Sequence, residues 1–204
     1  MPTTAEFWNQ GTEEANIVGG PARILVAARA TQAYPELISD VINLSTYAAQ
    51  SGWTDLGHSS TPFAQTSGFD TTEWESQQAG IINIQVGNWN RTITVSLMES
   101  RNDKVMEVVH EAGGQTANAD GDDVKYMWDK SDITEWRVVA INLEEAGTAG
   151  SNIIMDVFPF CKRSGADAET AWDRGNPQVH SLELRPFPDS GVPNQANWYR
   201  ISQQ

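Results

Sequence analysis

Two glutamates flanking a tryptophan, Glu73-Trp74-Glu75, are the best-placed pair of reactive side chains in this 204-residue chain. On a strand they share a face, about 6.7 Å apart along the chain, near the spacing of carboxylate pairs that hydrolyse glycosidic bonds. Acid–base work needs one carboxyl protonated and the other ionised, and nothing in the sequence separates these two. His110-Glu111 opens a zinc-protease pattern, but Gly114 stands where the second histidine belongs. His110 then reads as a last-turn residue beside the negative end of a helix. Asn118, Asp120 and Asp122 follow the odd-position spacing of a calcium loop. Asp123 replaces the glycine needed for the sharp turn, and Asp129 replaces the bidentate glutamate, so a solvated acidic loop is expected. The lone Cys161 can form neither an internal disulfide nor a multi-cysteine zinc site, and it reads as a small buried hydrophobe. There is no nucleophile elbow, phosphate-binding loop or dinucleotide fingerprint. The residues support no enzyme, and no catalytic, cofactor or metal set is assigned.

The elements around these residues read mainly as strands. Arg23 to Ala30 alternates, with Ile24, Val26 and Ala28 on one face and Arg23 and Arg29 on the other. Glu36 to Thr46 has helical spacing at Leu37, Val41 and Leu44, weakened by β-branched residues. Ile82, Ile84 and Val86 alternate with polar residues, as do Ile93, Val95 and Leu97, which predicts a hairpin turning at Gly87 to Asn90. A helix is expected over 100–112, with Ser100 and Asp103 as a capping box and Val105, Val108, Val109 and Ala112 as its apolar stripe. Gly113-Gly114 ends it. Strands are expected at Glu135 to Leu143, Asn152 to Phe160, Val179 to Phe187 and Trp198 to Ser202. Polar loops are expected over 115–133 and 162–178, the first too long to be structureless without a task. No internal repeat or low-complexity segment is seen. Together these predict a single mainly-β domain over 21–204, a β-sandwich or small barrel with one packed α-helix, preceded by a polar arm at 1–20.

Charge narrows the functional classes. The formal net charge is −14, with 27 acidic and 13 basic side chains. Both halves of the chain are acidic, so the charge is no tail. Such a surface repels phosphate backbones and disfavours tight nucleic-acid binding. The amino-terminal residues carry Glu6, Glu13 and Glu14 without an apolar run, which does not read as a signal or transit peptide. No stretch approaches a membrane span. A soluble protein made inside the cell is expected. Eight tryptophans are many for this length. About five would be core residues, and the rest could serve protein interfaces or stack on sugars, as in a carbohydrate-binding β-sandwich.

One ordered set of motifs adds a more specific expectation. Gly52-Trp53-Thr54-Asp55-Leu56-Gly57 is followed by Ser60-Thr61, Phe63 and Glu73-Trp74-Glu75-Ser76. The Ile81 to Glu99 strand pair then ends in Ser96-Leu97-Met98-Glu99. In this order, over residues 24–160, the sequence resembles the major tail tube proteins of long-tailed, non-contractile bacteriophages. The loop at 115–133 and the region beyond Gly165 match nothing in that pattern. The resemblance implies a β-sandwich virion subunit, made in the host cytoplasm, that assembles into hexameric rings stacked as a hollow tail tube. DNA would pass through the lumen without specific binding. Tail terminator, tape-measure and tail-tip proteins would be partners, and no membrane anchor or cofactor would be needed. Residues 53–75 would be an extended arm reaching a neighbouring subunit, with Trp53 seating its base and Gly57 supplying the turn. Trp53, Asp55, Leu56, Gly57, Phe63, Phe69 and Trp74 are the subunit-interface candidates. Asp120, Asp122 and Asp123 are the acidic candidates for the lumen or a subunit contact.

Overall fold

The fold is that of a computed structural model, which describes residues 22–76, 80–99, 102–111, 115–117, 123–125, 132–143, 153–164, 170–173 and 176–202. The 1–20 arm lies outside the described residues. The elements are β1 (Ala22–Ala28), β2 (Thr54–Asp55), β3 (Ala64–Ser76), β4 (Gly80–Leu97), α1 (Asp103–His110), β5 (Gln115–Ala117), β6 (Asp123–Lys125), β7 (Trp136–Leu143), β8 (Ile153–Arg163), β9 (Thr170–Asp173), β10 (Asn176–Pro186) and β11 (Tyr199–Ser202). Nine strands form one antiparallel sheet, in the order β2-β1-β7-β8-β10-β4-β3, with β11 beside β8 and β9 beside β10. β5 and β6 pair separately. The chain is mainly β with one packed α-helix, as the strand-rich pattern predicts, and the sheet does not close into a barrel.

One face of the sheet wraps around a core. Ile24 and Val26 of β1 meet Ile93, Val95 and Leu97 of β4, with Trp136, Phe158, Leu182 and Leu184 between them. Val105, Val108 and Val109 of α1 fill the remaining side of this core, so the helical stripe is read correctly from the sequence. The chain after β2 spans from one flank of the sheet to the other. The Leu56 amide donates to the Ile24 carbonyl at 2.9 Å, and the Ser60 amide donates to the Ser96 carbonyl at 2.8 Å. A second core lies on the opposite face, where Leu25, Ala27, Val139, Ile141, Met155 and Val157 are covered by Ile38, Val41, Ile42 and Trp53. β1 is therefore buried on both faces, and Leu25 and Ala27 share the face that the sequence assigned to its arginines.

Three local expectations are corrected. Residues 36–46 form no α-helix. A single 3-10 turn at Ile38–Asp40 is capped by the Asp40 carboxylate, which accepts from the Glu36 and Leu37 amides at 3.0 and 2.9 Å. The Asn43 side chain then accepts from the Ser45 and Thr46 amides, a local alternative that competes with helical hydrogen bonding. Leu37 and Leu44 end up exposed. The helix begins at Asp103 behind an Asn102 cap, whose side chain accepts from the Lys104 amide at 3.0 Å. It ends at His110, because Glu111 turns left-handed (φ 52°) and its carboxylate accepts from the Thr134 hydroxyl and amide.

The largest correction concerns the hairpin. β4 runs unbroken from Gly80 to Leu97 and pairs with β3 from Ser76↔Gly80 to Ala64↔Thr94. Gly87 to Asn90 is no turn. The register shifts between Phe69 and Thr71, so Gly87 and Asn88 together oppose Asp70 as a bulge. One extra residue moves the apolar set from even to odd positions, and a turn leaves the same mark on a sequence.

Candidate interaction surface

Residues 53–63 belong to the body and not to a projecting arm. Trp53 is buried in the second core. Leu56 is wholly buried in the first core, so it has no surface to offer a neighbour. Asp55 pairs with Arg23 of its own chain, and its other oxygen accepts from the Gly57 amide at 2.8 Å. Gly57 does supply a turn, at φ +75°, where a side chain is strained. The turn is tied to the helix start, since the Asn102 amide group donates to the Asp55 carbonyl at 3.1 Å and to Glu99 at 3.2 Å. Phe63 is half-buried, its ring 5.9 Å from that of Phe158. Four of the seven interface candidates are thus built into the chain's own fold, and Phe63 is partly so.

The projecting element is the outer part of the β3–β4 ribbon. Arg91 marks its root, with its guanidinium donating to Asn197 at 2.9 Å and lying 4.9 Å from the Trp198 ring centroid. Burial lowers the Arg91 pKa there. Beyond Arg91, every described side chain of Thr66–Trp74 and Asn83–Asn90 is exposed. From Gly68 to Ser76 this ribbon is about 27 Å long. Gln65 opposes the core residue Ile93, so the β3 residues that share its face are 67, 69, 71 and 73. Their cross-strand partners include Trp89 (opposite Phe69), Val86 (opposite Thr71) and Ile84 (opposite Glu73). The core-facing row of the β3–β4 pair therefore continues outside the body as Phe69 of β3 and Trp89, Val86 and Ile84 of β4, each between 50% and 64% exposed. The Phe69 and Trp89 rings lie 4.8 Å apart. Trp74 stands on the opposite face, beside Asn83, and is also exposed.

A second surface gathers basic and aromatic side chains where β8 and β10 meet. Arg185 and Lys162 are cross-strand partners. The Phe160 and Phe187 rings are 5.4 Å apart, with Arg29 4.4 Å and Lys162 5.5 Å from the Phe160 centroid. Asp189, buried at the rim, accepts from Arg29 through both oxygens at 3.1 Å and from Arg137 at 3.1 Å. Hydrogen bonding from Arg29 holds its carboxyl down to about 2, against the penalty of burial. Glu135 takes Arg29 at 2.7 Å and Lys162 at 3.0 Å.

Inside the body, the His110 Nε2 and His180 Nδ1 atoms are 3.1 Å apart and join α1 to β10. Burial lowers both pKa values, and for His110 the neighbouring His180 and Arg163 add to it. Cys161 is buried, and burial raises its pKa well above that of a free thiol. Among the described residues no cluster of potential ligands could hold a metal, and no helix is long and apolar enough to cross a membrane.

Asp120 and Asp122 lie outside the described residues, and Asp123 opens β6 opposite Ala117. Of the tryptophans whose side chains are described, Trp53 and Trp136 are buried, Trp198 is half-buried, and Trp74 and Trp89 are exposed. Ile84 and Val86 were missed as surface residues because the expected hairpin folded their row over a core, and Trp89 because it fell within the expected turn. Phe160, Arg185 and Phe187 carried no local signal, since only the pairing of β8 with β10 unites them. Compared with known proteins, the chain matches no protein-family model and no curated relative.

Proposed function

We infer that the chain is a structural subunit that assembles with copies of itself, of the kind that builds a phage tail tube. One observation carries this reading. A two-stranded ribbon of about 27 Å leaves the body with aromatic and aliphatic side chains exposed on its faces. A lone two-stranded ribbon is marginal in water, and an exposed apolar edge is usually blunted. A neighbouring copy that covers the ribbon removes both problems. The acidic chain suits a bore that DNA crosses without sticking. A carbohydrate-binding module would also display aromatic rings, but Ile84 and Val86, interleaved with the rings, offer sugars no stacking face and suit a protein contact. Purified protein at high concentration, viewed by negative-stain microscopy, should show rings or hollow filaments. A monomer at every concentration that is retained on a glycan column would overturn the assembly reading in favour of sugar binding.

A further inference from the structure

We propose that the arm of one copy lies across the Phe160–Phe187 face of the next copy, with Glu73, which shares the ribbon face of Phe69 and Trp89, directed at Arg185 and Lys162. This rests on the self-assembly reading and names the surface that receives the arm. Between Ala64 and Asn90 the sequence holds Asp70, Glu73 and Glu75 and no lysine or arginine. Among the described residues, neither Asp70 nor Glu73 makes an ion pair. Arg185 makes none with a described residue either, although it is exposed, and its guanidinium rests 5.9 Å from the Phe187 ring centroid. Around it, among the described residues, Arg29, Arg137 and Lys162 pair with Glu135 and Asp189, so the described side chains here carry an excess of positive charge on a chain of net charge −14.

The two surfaces match in kind, with rings and the acid Glu73 on one and rings and the base Arg185 on the other. They cannot meet within one chain. Leu184 lies beside Ile93, which lies beside Gln65, and Glu73 is a further eight residues along β3. That places Glu73 about 26 Å beyond the level of Arg185's neighbour, well outside the reach of one arginine. A second copy supplies the partner. Opposite charges set the docking register and the apolar contact holds it, because rim charges contribute mainly to specificity.

The test begins with assembly of the wild-type chain, followed by sedimentation across a concentration series at low salt. Arg185→Glu and Glu73→Lys should each raise the concentration needed for assembly at least about tenfold, because like charges then oppose each other. The chain carrying both changes should recover most of the loss. Circular dichroism should match the wild type for every variant. Separately, a Glu73→Cys chain mixed with an Arg185→Cys chain under oxidising conditions should give a disulfide-linked mixed dimer, with the buried Cys161 inert in both. Reversals that assemble like the wild type, or a double variant no better than its parents, would overturn the docking while self-assembly stands. A wild-type chain that never assembles would overturn both.

Discussion

Replacing Trp89 with alanine separates an assembly residue from a folding residue. A tryptophan can bury about 150–250 Å², and Trp89 is 64% exposed in the single chain. About 100–160 Å² of it is therefore left for a neighbour to cover, worth about 2.5–4 kcal/mol at about 25 cal/mol per Å². Ordering and desolvation at an interface consume part of this, so a loss of about 2 kcal/mol per contact is the working figure, the size of an interface hot spot. That raises the critical concentration for assembly about 30-fold. The single chain loses only the Phe69–Trp89 ring pair, worth about 0.5–1.5 kcal/mol. Sedimentation gives the first quantity, and chemical denaturation of the unassembled chain gives the second. Trp74→Ala, on the other face of the ribbon, is the control and should change assembly less. An unchanged critical concentration, or a loss of more than about 3 kcal/mol in the single chain, as for a core aromatic, would refute the placement of Trp89 at an interface.

Two further outcomes concern the body. Trp53→Ala should cost about 3–5 kcal/mol in chemical denaturation, as for a buried aromatic, and a change below about 1 kcal/mol would put the ring outside the second core. The His110–His180 pair should make the fold acid-sensitive. Both folded pKa values lie below the ordinary histidine value near 6.5, so below that pH the unfolded chain binds more protons and stability is lost as pH falls. The thermal midpoint should drop from pH 7 to pH 5, and His110→Gln should flatten part of that slope; an identical slope in the variant would assign the acid sensitivity to other groups.

Much of the fold was legible because its strands alternate cleanly. Ile93, Val95 and Leu97, the stripe at Val105, Val108 and Val109, and the burial of Cys161 follow from period and residue type alone. The β3–β4 ribbon was misread for a specific reason. A bulge and a two-residue turn both reverse the parity of an apolar alternation, and Gly87-Asn88 has a composition that suits either. Only the pairing of β4 with β3 decides between them. The candidate surface suffered most from this, since the wrong turn folded Ile84 and Val86 back over a core. Residues 36–46 failed differently. Their apolar positions fit a helix, but Asp40 and Asn43 hold the neighbouring amides with their side chains, and tertiary burial selects the adjacent pair Val41 and Ile42 instead of a helical stripe.

The direction of charge on the ribbon also bears on the geometry of assembly. β3 is the last strand on its side of the sheet, and two copies could in principle pair their β3 edges antiparallel. That contact would be isologous and would stop at a dimer. It would also bring Asp70 and Glu73 of one copy near the same residues of the other, and like charges across an interface disfavour pairing. Docking the ribbon on the Phe160–Phe187 face joins two different surfaces, so each copy keeps one free arm and one free receiving face. A heterologous contact of this kind either closes into a ring or continues as a filament. Glu73, one of the charges that oppose edge pairing, is the residue that the proposed receiving face would attract.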